Sequence, residues 1–164
     1  MTARRATDAE TRVDRADHGA IRLWLRMLAT NRLVESRTRR LLQERYATTL
    51  PRFDLMAQLE RVPQGLKMGE LSKRMMVTGG NVTGITDGLA KEGLVERIAD
   101  PDDRRATLVR LTPAGRRGFA AMAAEHERWI VESFSEFTGR EMATMAGLLA
   151  RLKSHVRSLE ERDA

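Results

Sequence analysis

The sequence predicts a mainly α-helical protein with a small β-hairpin wing, in which a winged helix-turn-helix lobe is joined to long helices that form a dimerisation region. The first observation is a pair of short amphipathic patterns separated by a break at residues 77–80 and followed by a hairpin pattern with a charged tip. The second is that the flanking helical patterns are longer than one small lobe can cover.

Four segments are expected: a frayed leader over residues 1–17, a dimerisation helix over 18–50, the winged lobe over 51–112 and C-terminal dimerisation helices over 113–164. In the leader four arginines are balanced by four acidic residues and apolar side chains are scarce, which is typical of a disordered tail. A DNA-reaching arm is the alternative, and the cancelled charge disfavours it.

Two helices should precede the helix-turn-helix. The residues from about 20 to 46 contain no proline and carry a long apolar repeat, so we expect one extended helix there. A second helix is predicted from Pro51 to Val62. Its apolar residues recur every three positions: Phe53, Met56, Leu59 and Val62.

The paired short helices come next. Leu71 and Met75 lie four apart, as on one face of a helix. Thr78 is expected to begin the following helix, its hydroxyl accepting a hydrogen bond from a free amide. Val82, Ile85 and Leu89 then keep the apolar period, and Gly93 can take the positive φ that ends the helix.

A hairpin should follow. Residues 94–98 and 107–111 are short aliphatic runs with interleaved charges, and Asp100 and Pro101 supply turn chemistry between them. Thr112 and Pro113 then open another helix, since proline at the first helical position loses no hydrogen bond.

The C-terminal part predicts two more long helices. Thr138 and Glu141 form a capping-box pattern that begins the last one. Its apolar residues alternate at three and four: Met142, Met145, Leu149, Leu152, Val156 and Leu159. This seam could pack on the first helix of the same chain. We favour a dimer, because a lone lobe would leave the seam exposed.

Composition narrows the function classes. A net charge of +6 favours a polyanionic partner, either nucleic acid or an acidic membrane surface. No apolar run reaches the ~18 residues of a membrane span, and the first residues lack a signal-peptide core, so we expect a soluble cytoplasmic protein without membrane contact. The sequence has no cysteine, which excludes disulfides and thiolate catalysis.

No enzymatic constellation is found. His18, His126 and His155 are far apart and have no partner at metal-ligand spacing. The Thr78-Gly79-Gly80 stretch lacks the lysine and preceding strand of a phosphate loop. We therefore expect no catalytic residue, no metal and no cofactor, and a protein that is not an enzyme.

The wing sequence resembles the MarR family of winged-helix transcriptional regulators. Asp103-Arg104-Arg105, followed by Leu108, Leu111-Thr112 and Gly115, is similar to the family's Asp-x-Arg…Leu-Thr-x-x-Gly signature. The resemblance covers roughly residues 18–160. It implies a homodimeric, DNA-binding regulator whose first and last helices interlock with a second subunit. Oxidant sensing by cysteine, used by one branch of the family, is excluded.

A two-fold dimer would place two recognition helices one DNA turn apart and read an inverted repeat. Asn81 can read adenine bidentately, and Thr83 can contact a thymine methyl group or a phosphate. The alternatives are a second capping group and a plain surface threonine. Many members of the family have arginine at the position of Gly84. Because this chain lacks that side chain, we expect its sequence recognition to depend more on the wing and on DNA shape.

In the wing, Arg105 is the candidate for insertion into an AT-rich minor groove, with Asp103 orienting its guanidinium. The alternative is a hairpin-tip ion pair. Lys67, Lys73 and Arg74 are expected to contact phosphates. The predicted DNA-binding residues are Lys67, Lys73, Arg74, Thr78, Gly79, Gly80, Asn81, Thr83, Thr86, Asp103, Arg104 and Arg105.

The first helix is rich in arginine, and a solvated face is its simplest explanation. The family resemblance implies a second explanation, in which the arginines line a cleft for an effector. This effector would be a small anionic aromatic compound or its coenzyme A thioester, and its binding would release a repressor from DNA. The predicted ligand-binding residues are Trp24, Met27, Leu28, Arg37, Arg40 and Phe53. Two rival functions are an architectural DNA-binding protein without an effector and a helical protein-binding adaptor.

Overall fold

A computed structural model describes residues 18–101 and 106–163, and the expected leader over residues 1–17 lies outside them. Within these ranges the chain forms six helices and three strands, which confirms the mainly α fold with a small β wing. They are α1 (Gly19–Tyr46), α2 (Leu50–Glu60), β1 (Leu66–Lys67), α3 (Met68–Met75), α4 (Gly79–Lys91), β2 (Val95–Ala99), β3 (Thr107–Leu111), α5 (Pro113–Ser133) and α6 (Gly139–Asp163).

Helix α2 supplies much of the core of the winged lobe. Pro51 lies in its first turn, where a missing N–H is tolerated, and its buried residues are Phe53, Leu55, Met56 and Leu59. The helix ends at Glu60, two residues before the predicted Val62. The Val62 N–H donates to the Leu59 carbonyl at 3.1 Å, so the chain there turns instead of continuing the helix.

The two wing strands, β2 and β3, belong to a three-stranded antiparallel sheet with strand order β1-β3-β2. Val95 pairs with Leu111, and Ala99 with Thr107, while Lys67 of β1 pairs with Leu108. The predicted two-stranded hairpin was therefore incomplete. Strand β1 has only two residues, too few to show alternation in the sequence.

Aliphatic side chains from several elements hold this sheet and the short helices together. Each fully buried leucine contributes about 1.5–3 kcal/mol relative to an exposed one. The fully buried aliphatic residues of this core are Leu42, Leu55, Leu59, Leu71, Val82, Leu89 and Val109.

The start of α5 packs directly against the chain that leaves α4. The Thr112 hydroxyl donates to the Gly93 carbonyl at 2.6 Å and accepts from the Gly115 N–H at 3.0 Å. A Cβ on Gly115 would lie 1.9 Å from the Leu94 carbonyl oxygen. The Leu-Thr-x-x-Gly motif is thus a tight joint between wing and helix, and only glycine fits its last position.

The described chain divides into two compact units at the His126–Glu127 bond. In the second unit, the Thr138 N–H donates to Glu141 Oε2 at 2.8 Å and the Glu141 N–H donates to Thr138 Oγ1 at 3.3 Å, which confirms the capping box. Hydrogen bonds from Thr138 lower the pKa of the Glu141 carboxyl. No residue of α6 is buried, so its apolar seam is exposed within this unit.

Candidate nucleic-acid interface

Helix α4 has one buried face and one open face. Val82, Thr86 and Leu89 point into the core. On the other face, Asn81 and Thr83 are exposed. Gly79, Gly80 and Gly84 are exposed beside them, and a Cβ on any of the three would meet open space. The first two turns of α4 therefore present a smooth surface that carries two polar side chains and no charge.

Thr86 does not belong to this open face, so its assignment to DNA binding was wrong. Its side chain is 0% exposed, and its hydroxyl lies 3.8 Å from the Met68 sulfur. Thr86 is four residues after Val82 and three before Leu89, a spacing that places all three on one side of the helix. It is a core residue that joins α4 to α3.

The start of α4 is built by backbone groups. Thr78 precedes the helix in an extended conformation, but its hydroxyl makes no capping bond, contrary to the prediction. Its carbonyl accepts from the Asn81 and Val82 N–H groups at 3.1 and 3.2 Å. The Thr83 hydroxyl donates back to the Gly79 carbonyl at 3.0 Å.

The turn between α3 and α4 is closed by two hydrogen bonds. The Val77 N–H donates to the Ser72 carbonyl at 3.2 Å, and the Ser72 hydroxyl donates to the Val77 carbonyl at 2.5 Å. Met76, between them, has a φ of 54°. Its side chain is 93% exposed, so the turn carries a large apolar group on its outside.

The basic residues of α3 flank this turn. Lys73 is exposed. Arg74 is also exposed, and its guanidinium lies 2.5 Å from the Glu70 carboxylate one turn earlier. Such an exposed helical pair contributes only a few tenths of a kcal/mol, so a stronger anion can displace Glu70.

Lys67 has a structural partner that the sequence did not reveal. Its ammonium group lies 3.0 Å from a carboxylate oxygen of Asp100, which is only 6% exposed. The Asp100 N–H also donates to the Ala106 carbonyl at 3.0 Å. Asp100 therefore connects strand β1 to the base of the wing. The role of Lys67 that the structure shows is to pair with this carboxylate.

The strands of the wing carry paired charges. Arg110 on β3 lies 2.7 Å from Glu96 on β2, a directly opposite cross-strand pair. Arg97 on β2 lies 2.7 Å from Asp87 on α4 and so joins the wing to the open helix. Neither acidic partner was predicted from the sequence, because each pair joins two different elements. The predicted tip residues Asp103, Arg104 and Arg105 lie outside the described residues.

Comparison with known proteins decides the family. The MarR family model matches residues 48–107. A crystal structure of a MarR family transcriptional regulator from Silicibacter pomeroyi is 31% identical, with a TM-score of 0.74 over 87% of this chain and 99% of that chain. The chain belongs to the MarR family.

Two curated relatives agree with the MarR assignment. The HTH-type transcriptional regulator YsmB of Bacillus subtilis is 29% identical over 125 residues, 76% of this chain and 84% of that protein. The transcriptional activatory protein BadR of Rhodopseudomonas palustris is 25% identical over 165 residues, 98% of this chain and 93% of that protein. The chain is accordingly a DNA-binding transcriptional regulator and not an enzyme.

The MarR resemblance had also suggested an effector cleft, and the structure separates its predicted residues. Trp24 is exposed, and Met27, Leu28 and Arg37 are half-buried. Arg40 lies 3.1 Å from Glu44 on the same helix. Phe53 is a buried core residue, with its ring 5.3 Å from Phe119 and 4.8 Å from His126. The assignment of Phe53 to an open pocket wall was therefore wrong.

A cavity of about 200 Å³ lies nearby, where the α1–α2 turn meets α2, the end of α4 and α5. Arg52 lines it, with its guanidinium paired to Glu92 and its buried Nε without a hydrogen-bond partner. The six predicted ligand-binding residues are not among its lining residues, which are Tyr46, Ala47, Thr48, Arg52, Met56, Glu92, Leu94, Gly118 and Met122.

One pair of titratable groups lies where α2 meets α5. Burial lowers the pKa of His126, and the neighbouring Asp54 carboxylate offsets part of this effect. Burial raises the pKa of Asp54, and the charges of His126 and Arg39 oppose that rise. No role for His126 was predicted from the sequence, because Asp54 lies 72 positions away in the chain.

Residues 18–101 and 106–163 contain neither a membrane-spanning helix nor a metal-binding cluster. No helix in these ranges is long and apolar enough to cross a membrane. These ranges also contain no group of three or more histidine or acidic residues arranged to hold a metal ion.

Proposed function

We propose that the protein is a homodimeric repressor that binds an inverted-repeat operator and is released from it by a small anionic aromatic ligand or its coenzyme A thioester. The single observation that carries operator binding is the open face of α4, since a helix with a smooth, uncharged N-terminal surface beside a wing fits into a major groove. Residues 51–112 form the reading lobe, and residues 18–50 and 113–164 provide the dimer.

The seam on α6 supports the dimer. Its apolar residues follow intervals of three and four over residues 142–159, the heptad pattern of helices that pack against a partner helix. All six side chains are substantially exposed: Met142, Met145, Leu149, Leu152, Val156 and Leu159. A second copy of this chain would cover them.

A charge placed on the seam tests the dimer. Leu152→Glu should yield monomers in sedimentation and lose operator binding, because one lobe reads too few base pairs. Ser154→Glu adds the same charge on the outer side of the heptad and should stay dimeric. Equal behaviour of the two variants would favour the protein-binding adaptor, with the seam as its partner surface.

We assign separate roles in DNA binding to the helix-turn-helix and to the wing. Asn81 and Thr83 would contact base edges, while Gly79, Gly80 and Gly84 allow close approach of the backbone. Lys73 and Arg74 would contact phosphates, and Lys67 would support the wing. At the wing tip we propose that Arg105 enters a narrow, AT-rich minor groove, with Asp103 and Arg104 beside it.

Selection of bound duplexes from a random pool tests the operator. An enriched inverted repeat with half-site centres about 34–36 Å apart is expected. Arg105→Ala should weaken binding to it by about 1–3 kcal/mol. Affinity should also fall steeply with salt, as counterions are released from phosphates. Equal affinity for random and selected duplexes would instead indicate an architectural protein.

The effector is supported by the arginine-rich α1 and by the exposed Trp24 ring on it, which together suit an anionic aromatic compound. Because Trp24 is exposed while Phe53 is buried in the core, we expect the second subunit to complete the cleft. Titrating aromatic acids and their thioesters against the operator complex tests release.

Linkage sets what that titration must show: DNA must weaken ligand binding by the same factor as ligand weakens DNA binding, about 1–3 kcal/mol. A complex that survives saturating, verified ligand would remove the release mechanism. In vitro transcription then distinguishes repression from activation, and BadR is named as a transcriptional activatory protein.

A further inference from the structure

Three of the described helices are followed by a residue in the left-handed conformation, and this residue differs from one helix to the next. Ala47 ends α1 with a φ of 48°, Met76 ends α3 with a φ of 54°, and Gly93 follows α4 with a φ of 68°. At the end of α1 the Ala47 N–H donates to the Gln43 carbonyl at 3.1 Å, four positions back. At Met76 and Gly93 the next residue's N–H instead reaches back five positions, as from Val77 to Ser72 at 3.2 Å. This is the Schellman motif, in which glycine is the favoured residue.

Met76 is the least expected of the three residues. A Cβ in the left-handed region lies too close to the following carbonyl oxygen, so a methionine strains this turn where glycine would not. Strained backbone conformations are concentrated at functional sites. The strain at Met76 therefore needs a reason other than folding.

Packing does not supply that reason. The Met76 side chain is 93% exposed, whereas the next residue, Val77, is half-buried and completes the turn. The Ser72 hydroxyl already holds the Val77 carbonyl at 2.5 Å. The turn is thus closed by its backbone and by Ser72, and the thioether chain points away from the core.

The position of Met76 is next to the recognition surface. It lies two residues before Thr78, from which α4 begins, and so stands beside the open face that carries Asn81. The only charged residues of α4 are Asp87 and Lys91, both beyond its first two turns. An apolar contact beside this end of α4 would add to the phosphate contacts proposed for Lys73 and Arg74 in the last turn of α3.

We propose that Met76 is a DNA-contact residue, whose thioether side chain packs against the apolar surface of the operator duplex at the edge of the major groove. That surface consists of thymine methyl groups and deoxyribose carbons. The inference rests on the proposed operator binding, and it makes Met76 part of the specificity of each half-site if the contact is to a thymine.

Four variants separate contact from strain, each titrated with the duplex selected by the wild-type protein. Met76→Ala keeps the strained Cβ but removes the thioether, so affinity should fall several-fold with an unchanged Tm. Met76→Gly should lose the same affinity while raising the Tm. Met76→Leu keeps an apolar chain and should bind within about twofold of wild type, the effect of removing less than one methylene group.

Ala47→Gly is the matched control. It relieves the same left-handed conformation at the end of α1, so it should raise the Tm and leave operator affinity unchanged. If Ala47→Gly weakens binding as much as Met76→Gly, the loss follows from relaxed helix ends and the proposed contact is wrong.

Replacing thymine by uracil at single operator positions identifies the apolar group. Loss of one methyl contact should weaken wild-type binding about fourfold and leave Met76→Ala unaffected. If every uracil duplex weakens both proteins equally while Met76→Ala still binds less tightly than wild type, the contact is to deoxyribose.

Two failures can be told apart. If the wild-type protein binds its selected duplex and Met76→Ala and Met76→Gly bind within twofold of it, the inference is overturned and the proposed function stands. If the wild-type protein enriches no duplex, the operator itself is overturned, and the Met76 contact with it.

Discussion

Lys67 and Asp100 form an ion pair, 3.0 Å from nitrogen to oxygen, that joins strand β1 to the base of the wing. The two groups are unequally exposed. The Asp100 carboxylate is almost entirely buried, while the lysine chain is half in solvent. Because a buried carboxylate has lost much of its hydration, its interaction with the lysine matters more than that of a surface pair.

Lys67→Met is therefore expected to lower the free energy of unfolding by about 1.5–3 kcal/mol, the range for hydrogen bonds to charged groups. Urea denaturation followed by circular dichroism measures this. Arg40→Met removes an arginine from the exposed Arg40–Glu44 pair and should cost less than about 0.5 kcal/mol. Equal losses in the two variants would contradict a special role for the wing base.

The features that were predicted correctly from the sequence are those that a few neighbouring residues determine. Strand β3, the capping box at Thr138 and the positive φ of Gly93 each depend on a few adjacent residues. The Lys67–Asp100 and Arg97–Asp87 pairs join different elements, and no local pattern encodes such a partner. They become visible only when the sheet and helices are assembled.

Thr86 shows a different reason for error. Its spacing from Val82 and Leu89 indicates the buried face, yet it was predicted to bind DNA as a polar residue of the recognition helix. The buried hydroxyl is accommodated beside the Met68 sulfur, a weak acceptor. In this helix periodicity was the better guide, and chemical type the worse one.

Gly115→Ala is predicted to destabilise the lobe by about 3 kcal/mol. The added Cβ would lie 1.9 Å from the Leu94 carbonyl oxygen, so α5 or the strand entry must move. Gly118→Ala, one turn later in α5, meets nothing within 4 Å and should stabilise by about 0.5–1 kcal/mol through helix propensity. Thermal unfolding of the two variants should therefore shift in opposite directions, and a shift in one direction for both would disprove the tight joint.

Thr86→Val and Asn81→Ala should separate core from interface on the recognition helix. Thr86→Val keeps the buried shape and gives up only a weak bond to sulfur, so operator affinity should stay within about twofold and stability within about 1 kcal/mol. Asn81→Ala leaves the core intact but should weaken operator binding by about 1–3 kcal/mol. Fluorescence anisotropy with the selected duplex measures both. A larger affinity loss for Thr86→Val than for Asn81→Ala would reverse the two assignments.

His126 should make stability depend on pH between neutral and mildly acidic conditions. Burial lowers the pKa of His126 below its ordinary value of 6.5 in the folded protein. As pH falls through 6.5, the unfolded chain therefore binds a proton that the folded chain resists, and stability is lost down to the lowered pKa. Asp54 acts with the opposite sign in a more acidic range, because its pKa is raised above 3.8 and folding favours its protonated form.

His126→Gln should accordingly flatten the fall in unfolding free energy between pH 7.5 and pH 5.5, measured by urea denaturation at each pH. Asp54→Asn removes the carboxylate that partly offsets the shift, so it should lower the His126 pKa further and deepen the loss in acid. NMR titration of the imidazole proton, assigned by its absence in His126→Gln, reports that pKa directly. A value at or above 6.5 in the wild-type protein would show that the attraction of Asp54 outweighs burial, and stability would then rise on acidification instead.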